Sequence, residues 1–151
     1  MLCRTHLLLG IVFFLLFHNF FHDGNVILFF GLVLLGSILP DIDERNSTIN
    51  RWSGFIGRIV SFFFRHRGIF HSLLLAAVVF WVMKTYAGLY YAVGLALGYV
   101  AHLAGDAMTP MGVQVLYPFS SFRLRGPIKT GGWLEWVIFL VLAVLIVREV
   151  V

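Results

Sequence analysis

Residues 26–39, VILFFGLVLLGSIL, form a run without a charged residue, and this run restricts the possible folds more than any other feature. A soluble helix of this length usually carries a polar face along one side, and this segment has none. Across the chain 60% of residues are hydrophobic and 12% are charged, whereas ordinary soluble domains have about a quarter charged. The sequence therefore predicts an integral membrane protein.

Four further segments share this apolar character, and together they predict an all-α, polytopic transmembrane bundle in a single domain, residues 1–151. The five predicted segments are residues 7–21, 26–39, 69–83, 89–105 and 133–147. About 20 residues cross a bilayer comfortably and about 17 is the lower limit, so some segments are marginal in length. The stretch after the first segment, FHNFFHDGN, lacks a small-residue cleavage pattern, so we expect a permanent membrane segment and not a signal peptide.

The basic residues test this topology, because lysine and arginine are enriched in loops on the cytoplasmic side of a membrane. With five spans and a cytoplasmic N-terminus, the cytoplasmic pieces are residues 1–6, 40–68 and 106–132. They contain all of the 11 basic residues except Lys84 and Arg148. We therefore expect a multi-pass protein of the inner (cytoplasmic) membrane with its N-terminus in the cytoplasm.

Two connecting regions have distinct patterns. Between the second and third segments, apolar residues from Trp52 to Phe63 recur at helical spacing, while Arg51, Arg58 and Arg65 lie on another face. This pattern predicts an amphipathic helix at the inner membrane surface. Residues 109–132 contain three prolines and four glycines, which indicates an irregular loop with a short extended piece at 113–117.

Histidines and carboxylates concentrate at the segment ends that this topology places on the cytoplasmic face, whereas His18, His22 and Asp23 lie at the opposite surface. The cytoplasmic group consists of His6, Asp41, Asp43, His66, His71, His102, Asp106 and Glu135. An ionisable group at membrane depth costs several kcal/mol unless it is paired or bound to a metal, and carboxylates in one pocket repel without a cation or proton. The sequence therefore predicts a divalent metal centre. Mixed imidazole and carboxylate ligands favour zinc, manganese or iron over calcium.

Each pattern alone also has a simpler interpretation. His102 and Asp106 lie four residues apart on one helix face, where they are either two ligands or a hydrogen-bonded pair. Asp41 or Asp43 is equally suited to cap a following helix. Glu135, near the start of the fifth segment, also complements the positive end of a helix.

Four motifs in this order and spacing carry a family resemblance: THLLLG, GSILPDIDERNSTINR, HRGIFHSLL and GYVAHLAGDAMTPMGVQVLYP. Over roughly residues 5–136 the chain resembles the YdjM family of bacterial and archaeal inner-membrane proteins, described as membrane-bound metal-dependent hydrolases. The resemblance implies a polytopic membrane fold with metal-site positions at His6, Asp41, Asp43, His71, His102 and Asp106. Phe70 stands where the family often has threonine, which removes a hydroxyl but no ligand. A looser likeness connects the spacing of His102 and Asp106 to zinc-dependent phospholipase C.

We expect one or two ions, zinc first and manganese or iron next, bound by His6, His71, His102, Asp41 and Asp106. Asp43 either bridges a second ion or orients the attacking water, and His66 or Glu135 acts as general acid or base. The guanidinium groups of Arg67, Arg123 and Arg125 suit bidentate phosphate binding. The same arginines also satisfy the cytoplasmic charge bias without any substrate.

The function that these expectations favour is metal-dependent hydrolysis of a phosphoester carried by a lipid. Membrane lipids, and not nucleic acid, are the expected partners. HExxH and GxSxG motifs are absent from the chain, which argues against zincin-type proteases and serine hydrolases. The alternative is a metal-binding transporter or sensor, although a transport pathway would place polar groups at mid-span, where these segments are almost wholly apolar.

Overall fold

The computed structural model describes residues 1–63 and 67–150. Within these ranges the chain is helical, and its only β feature is an isolated antiparallel bridge between Val113 and Leu124. In chain order the helices are α1 Cys3–Phe17, α2 Val26–Ile38, α3 Thr48–Trp52, α4 Phe55–Phe63, α5 Leu73–Ala87, α6 Leu89–Ala107 and α7 Trp133–Val150.

Helices occupy all five predicted apolar segments, and their starts differ for local reasons. The third segment was predicted from residue 69, but Ile69–His71 forms a 3-10 turn and α5 begins only at Leu73. Ser72 caps α5 by accepting a hydrogen bond from the Leu75 amide, which fixes the start of the helix. The first helix begins earlier than predicted, at Cys3, so His6 lies within it.

The predicted number of membrane spans is not confirmed. By length and composition, two segments of the described residues qualify as membrane spans, Cys3–Phe20 and Val26–Asp43. Helix α5, Leu73–Ala87, is apolar but shorter. The prediction of five spans remains a proposal, although helices are present at each of the five positions.

The two connecting regions largely follow their predictions. The amphipathic segment is helical but is split into α3 and α4, because Gly54 between them adopts a left-handed conformation with φ of 57°. The loop that follows α6 is irregular, as predicted. Its expected extended piece at 113–117 is reduced to the bridge at Val113, because residues 115–119 turn.

Helix α6 lies at the centre of the bundle, packed against α1, α2 and α5. Its closest approach is to α2, along the glycines of both helices. A Cβ atom added at Gly98 would overlap the Val33 carbonyl oxygen, and one added at Gly36 would overlap the Leu95 carbonyl oxygen. The two backbones are therefore in direct contact, as is common where helices associate in membranes.

The outer faces of the bundle carry many exposed apolar side chains, for which the described residues provide no cover. Ile27 on α2 is 77% exposed, Trp81 on α5 is 67% exposed and Val144 on α7 is 66% exposed. An apolar surface distributed over several helices is not stable in water and indicates contact with lipid. The buried histidines and carboxylates lie instead at one end of the bundle, around the end of α6.

We predict that Gly98→Ala destabilises the protein by about 2 kcal/mol, because the new methyl group separates α2 from α6. Gly31→Ala is the matched control in α2, since no atom lies within 4 Å of a Cβ at that position. Thermal unfolding of the detergent-solubilised protein, followed by circular dichroism, measures both variants. Equal stability of the two variants would contradict the packing described here.

Candidate metal centre

His102 lies in the last two turns of α6 and is completely buried. Its Nδ1 is 2.8 Å from the carbonyl oxygen of Ser37, in the last turn of α2, where carbonyl groups lack an intrahelical donor. Because a carbonyl oxygen can only accept a hydrogen bond, Nδ1 carries a proton and donates a hydrogen bond to the Ser37 carbonyl. The unprotonated Nε2 then faces the site, which is the tautomer that binds a metal.

His71 reaches the same point from the 3-10 turn before α5. Its Nε2 lies 3.2 Å from Nε2 of His102. The turn is anchored by Tyr99, whose buried hydroxyl donates a hydrogen bond to the carbonyl of Phe70. Two imidazole nitrogens are therefore held against each other in the interior, where at most one of them can carry a proton.

Asp41 and Asp106 complete the group around these two nitrogens. Asp41 Oδ1 lies 3.6 Å from Nε2 of His71 and 3.6 Å from Nε2 of His102. Asp106 Oδ2 lies 3.4 Å from the first nitrogen and 3.8 Å from the second. Pro40 places Asp41 there, because it begins the turn Leu39–Asp43 that leads the chain away from α2.

Five of the six separations among these four atoms are close to those of a tetrahedral metal site, and the ligand atoms of His71, His102 and Asp106 all lie within 4.8 Å of one another. With bonds of about 2.0–2.1 Å, two ligands of a tetrahedral zinc ion are about 3.3 Å apart. The five separations given above run from 3.2 to 3.8 Å. We call His71, His102, Asp41 and Asp106 the tetrahedral group.

His6, on α1, lies beside this group and does not belong to it. Its ring stacks on the ring of His102, with centroids 3.9 Å apart and planes 15° from parallel. Its Nε2 is 3.4 Å from Oδ1 of Asp106, the oxygen that faces away from the tetrahedral group. His6, Asp41 and His102 also form a second set whose ligand atoms lie within 4.8 Å of one another. A second ion would be bound on this side.

Asp43 lies behind His71 and not among the four atoms. Its Oδ2 is 3.3 Å from Nδ1 of His71, opposite the nitrogen that faces the group. The same oxygen accepts a hydrogen bond from the backbone amide of Arg67. A carboxylate on the outer nitrogen of a histidine orients the ring and raises its basicity. This geometry supports neither of the roles expected for Asp43, bridging a second ion or orienting water.

Arg67, which was expected to bind phosphate, is buried. Its Nη2 donates to Asp106 Oδ1 at 3.0 Å, and its Nη1 donates to Thr109 Oγ1 and the Gly112 carbonyl at 3.0 and 2.8 Å. Its backbone is in the left-handed region, with φ of 60°. The guanidinium group therefore ties Asp106 to the loop after α6, and substrate could reach it only by displacing these contacts.

Glu135 is also committed to structural contacts. Its two carboxylate oxygens accept hydrogen bonds from the Leu2 and Gly131 amides, at 2.7 and 2.6 Å. The side chain is buried and joins the start of α1 to the start of α7. The expected role in proton transfer is therefore not supported, and the helix-terminus interpretation agrees better with these contacts. His66, the other expected acid or base, lies outside the described residues.

Arg123 and Arg125 flank the loop that Arg67 holds. Their Cγ atoms would lie 3.1 and 2.6 Å from a Cβ built at Gly112, whose carbonyl is bound by Arg67. Arg125 is exposed, and Arg123 donates a hydrogen bond to the carbonyl of Met111. Both are therefore close to the loop that contacts Asp106, and their expected role in binding phosphate stays a prediction.

Comparison with known proteins gives a family for this arrangement. The sequence profile of the family described as "YdjM inner membrane protein" matches residues 1–150. The chain belongs to the YdjM family. This identifies it as a membrane protein, in agreement with its apolar outer faces.

Two relatives illustrate the similarity. The chain is 36% identical over 104 residues to "Uncharacterized protein YvsG" of Bacillus subtilis, covering 67% of this chain and 64% of that protein. It is 35% identical over 101 residues to "Inner membrane protein YdjM" of Escherichia coli, covering 63% of this chain and 51% of that protein. The matched part thus spans between half and two thirds of these relatives. No solved structure matches significantly.

The chemistry of the donor atoms in this YdjM-family protein fits a divalent metal. Among the described residues, Asp106 Oδ2 and both ring nitrogens of His6 are buried and make no hydrogen bond. Burial opposes a charge on His71, but hydrogen bonds to Asp41 and Asp43 raise its pKa to about 9. The surrounding carboxylates thus favour a positive charge at this point, and a metal supplies it as a proton does.

Three supporting residues were not anticipated from the sequence: Ser37, Tyr99 and Thr109. Thr109 is buried, accepts from Arg67 and donates to the carbonyl of Asp106. Its position three residues after Asp106, just before a proline, was an available signal, since threonine commonly bonds back to a helix end. Ser37 acts through its backbone carbonyl, which no side-chain pattern reveals.

We predict that the purified protein binds a divalent metal and that His102→Ala removes at least nine tenths of it, because the substitution deletes one corner of the tetrahedral group. His18→Ala is the control, since His18 lies beyond α1, where its ring stacks on Phe14 and its Nδ1 lies near the carbonyls of Phe14 and Leu15. Inductively coupled plasma mass spectrometry measures metal per protein. Metal content that is equal in both variants would contradict the assignment.

Proposed function

We propose that this protein is a membrane-embedded, metal-dependent hydrolase that cleaves a phosphoester carried by a lipid. The observation that carries the proposal is the tetrahedral group, two imidazoles and two carboxylates at metal-ligand spacing at one end of an apolar bundle. Zinc suits this ligand set and spacing, and manganese or iron is the next choice.

A metal bound by this group would lower the pKa of a coordinated water and polarise the bond under attack. The chain's own residues hold the ligands in place for that chemistry. Ser37 fixes the tautomer of His102, Asp43 orients His71, and Arg67 holds Asp106 through one of its oxygens. Three separate parts of the chain therefore contact the ligands on the sides that face away from the site. Supporting contacts of this kind make metal sites rigid.

Within the tetrahedral group, the Asp41 side chain is the one that water and substrate can approach. The Asp41 side chain is 18% exposed, whereas the other three side chains are at most 1% exposed. A substrate that reaches the site from the side of Asp41 would find the turn Leu39–Asp43 and the amphipathic helices beyond it. This supports a reactive group delivered at the membrane surface.

The phosphate preference is inferred from Arg123 and Arg125. Both lie beside Gly112 in the loop that Arg67 ties to Asp106, and guanidinium groups bind phosphate oxygens in pairs. The same loop exposes Phe119 and Phe122, which are 83% and 59% exposed. An arginine pair next to exposed aromatic residues suits an anionic head group with an apolar tail.

We further propose five membrane spans, formed by α1, α2, α5, α6 and α7, with a cytoplasmic N-terminus. The contacts that support this connect the start of α1, the turn after α2, the turn before α5 and the end of α6. Glu135 adds the start of α7. All five helix ends are adjacent, as alternating spans require. A reporter fused after residue 48 should be active in the cytoplasm, and activity outside the cell would contradict this topology.

Burial of the site supports a second function, metal sensing or transport without hydrolysis. Three of the four side chains of the tetrahedral group are nearly inaccessible, which suits a protein that holds a metal and excludes water. A transport path would also need polar groups through the bundle. The buried residues that continue along α6 away from the site offer almost none: they are Ala101, Tyr99, Gly98, Leu95, Gly94 and Ala92.

We predict that the metal-loaded protein hydrolyses at least one member of a panel of lipid phosphates, phospholipids and soluble phosphoesters. Asp41→Asn should lower kcat at least 100-fold, because it removes a metal-facing carboxylate at the accessible side. Arg125→Gln should mainly raise KM, because it removes charge without touching the ligands. Phosphate release measures both variants. Bound metal with no turnover on any substrate would favour the sensing or transport function instead.

A further inference from the structure

A second polar site lies away from the metal centre, in a groove between α3 and α4. The groove has a volume of about 610 Å³ and is lined by Arg45, Arg51, Arg58, Asn50, Ser61 and Phe62, together with a glycine. No residue of the tetrahedral group lines it. We call it the arginine groove.

The charge of the arginine groove is not balanced by an ion pair within the part of the chain that the structure describes. Arg45, Arg51 and Arg58 are exposed, no acidic residue lines the groove, and none of the three forms an ion pair with another residue in the ranges 1–63 and 67–150. Three guanidinium groups around one groove repel each other unless an anion lies between them. Guanidinium forks and a hydroxyl, from Ser61, are the donors that typically bind a phosphate.

The scaffold beneath these arginines is rigid. Asn50 is buried, and its amide nitrogen donates to the carbonyls of Ile42 and Gly57, both at 2.6 Å. A Cβ at Gly57 would overlap the carbonyl of Asn50, so α3 and α4 are packed backbone to backbone. The arginines therefore project from a fixed corner, which reduces the entropy lost when a ligand binds.

The surroundings of the arginine groove indicate which phosphate it binds. Trp52 and Phe55 are 75% and 77% exposed, and Phe62 and Phe63 are 71% and 73% exposed, on the same two helices. An amphipathic helix with such a face lies in the membrane interface, where its apolar side chains contact acyl chains and its basic residues contact head groups. A soluble phosphate would leave these aromatic side chains in water.

We propose that the arginine groove binds the phosphate head group of an anionic membrane phospholipid, with its acyl chains against the aromatic face of α3 and α4. Bound lipid fixes this helix pair at the membrane surface. The pair is joined to the metal centre through the Ser47 hydroxyl, which donates to the Asp41 carbonyl at 2.6 Å, and through the Asn50 bond to Ile42. The site does not require hydrolytic activity or a bound metal.

Native mass spectrometry of the full-length protein in detergent tests this proposal, with titrations of phosphatidylglycerol and phosphatidylcholine. The double variant Arg51→Gln, Arg58→Gln should bind phosphatidylglycerol roughly 30-fold more weakly, about fivefold for each arginine near a lipid head group. The double variant Lys84→Gln, Arg148→Gln removes the same charge from α5 and α7 and should bind within about twofold of the wild type.

Three further arms make the outcome decisive. Circular dichroism checks that the exposed substitutions leave the helices intact, and Arg45→Gln alone provides a milder variant if they do not. Glycerol phosphate and inorganic phosphate should compete only weakly, and competition as strong as that of the lipid would overturn the lipid assignment.

Unchanged lipid binding by the arginine double variant, or equal loss in the control, would overturn the site. His102→Ala should bind lipid normally, which separates this proposal from the proposed hydrolase.

Discussion

The structure depends on the direct contact between α2 and α6, because this contact determines where the His102 ring points. Glycines at the crossing let the two backbones touch, and the Ser37 carbonyl then lies 2.8 Å from Nδ1 of His102. With that nitrogen fixed as a donor, Nε2 can only accept a proton or bind a metal. Its neighbour, Nε2 of His71, lies 3.2 Å away, with carboxylates on either side. A proton or a metal ion among these atoms would supply the positive charge that the carboxylates favour.

The neighbouring polar residues hold the four ligands of the tetrahedral group in position. Arg67 and Asp43 act as a linked pair, since the Arg67 amide binds Asp43 while its guanidinium group binds Asp106. One residue thus connects the turn before α5, the turn after α2 and the end of α6. Buried ion pairs contribute little net stability when a hydrophobic alternative exists, but loss of one partner is costly. The network is therefore better explained by the positioning of ligands than by stability.

Much of the site was predictable because its residues stand at the ends of apolar segments. His6, Asp41, His71, His102 and Asp106 were expected to converge from the charge distribution and the segment boundaries, and the structure brings them together. The helix positions followed from hydrophobicity in the same way. Predictions of this kind need only the period of a helix and the thickness of a membrane.

The residues whose contacts do not support their expected roles have something in common: their partners are distant in sequence. Arg67 binds Asp106 across 39 residues, and Glu135 binds the Leu2 amide across 133 residues. An arginine or glutamate near a predicted site looks available to substrate until these contacts are known. Asp43 and Asp41 face opposite nitrogens of the His71 ring, and they do so from one 3-10 turn. Local patterns do not encode that choice.

The central claim is that imidazole and carboxylate ligands from separate segments of the chain share one metal ion. Extended X-ray absorption spectroscopy of the metal-loaded protein tests it most directly, because imidazole rings give a distinct outer scattering pattern. The account predicts nitrogen and oxygen ligands at about 2.0–2.1 Å, with scattering from at least two imidazoles that falls when His71 is replaced by alanine. A sulfur ligand, from Cys3 or a methionine, or a spectrum without imidazole scattering would contradict it.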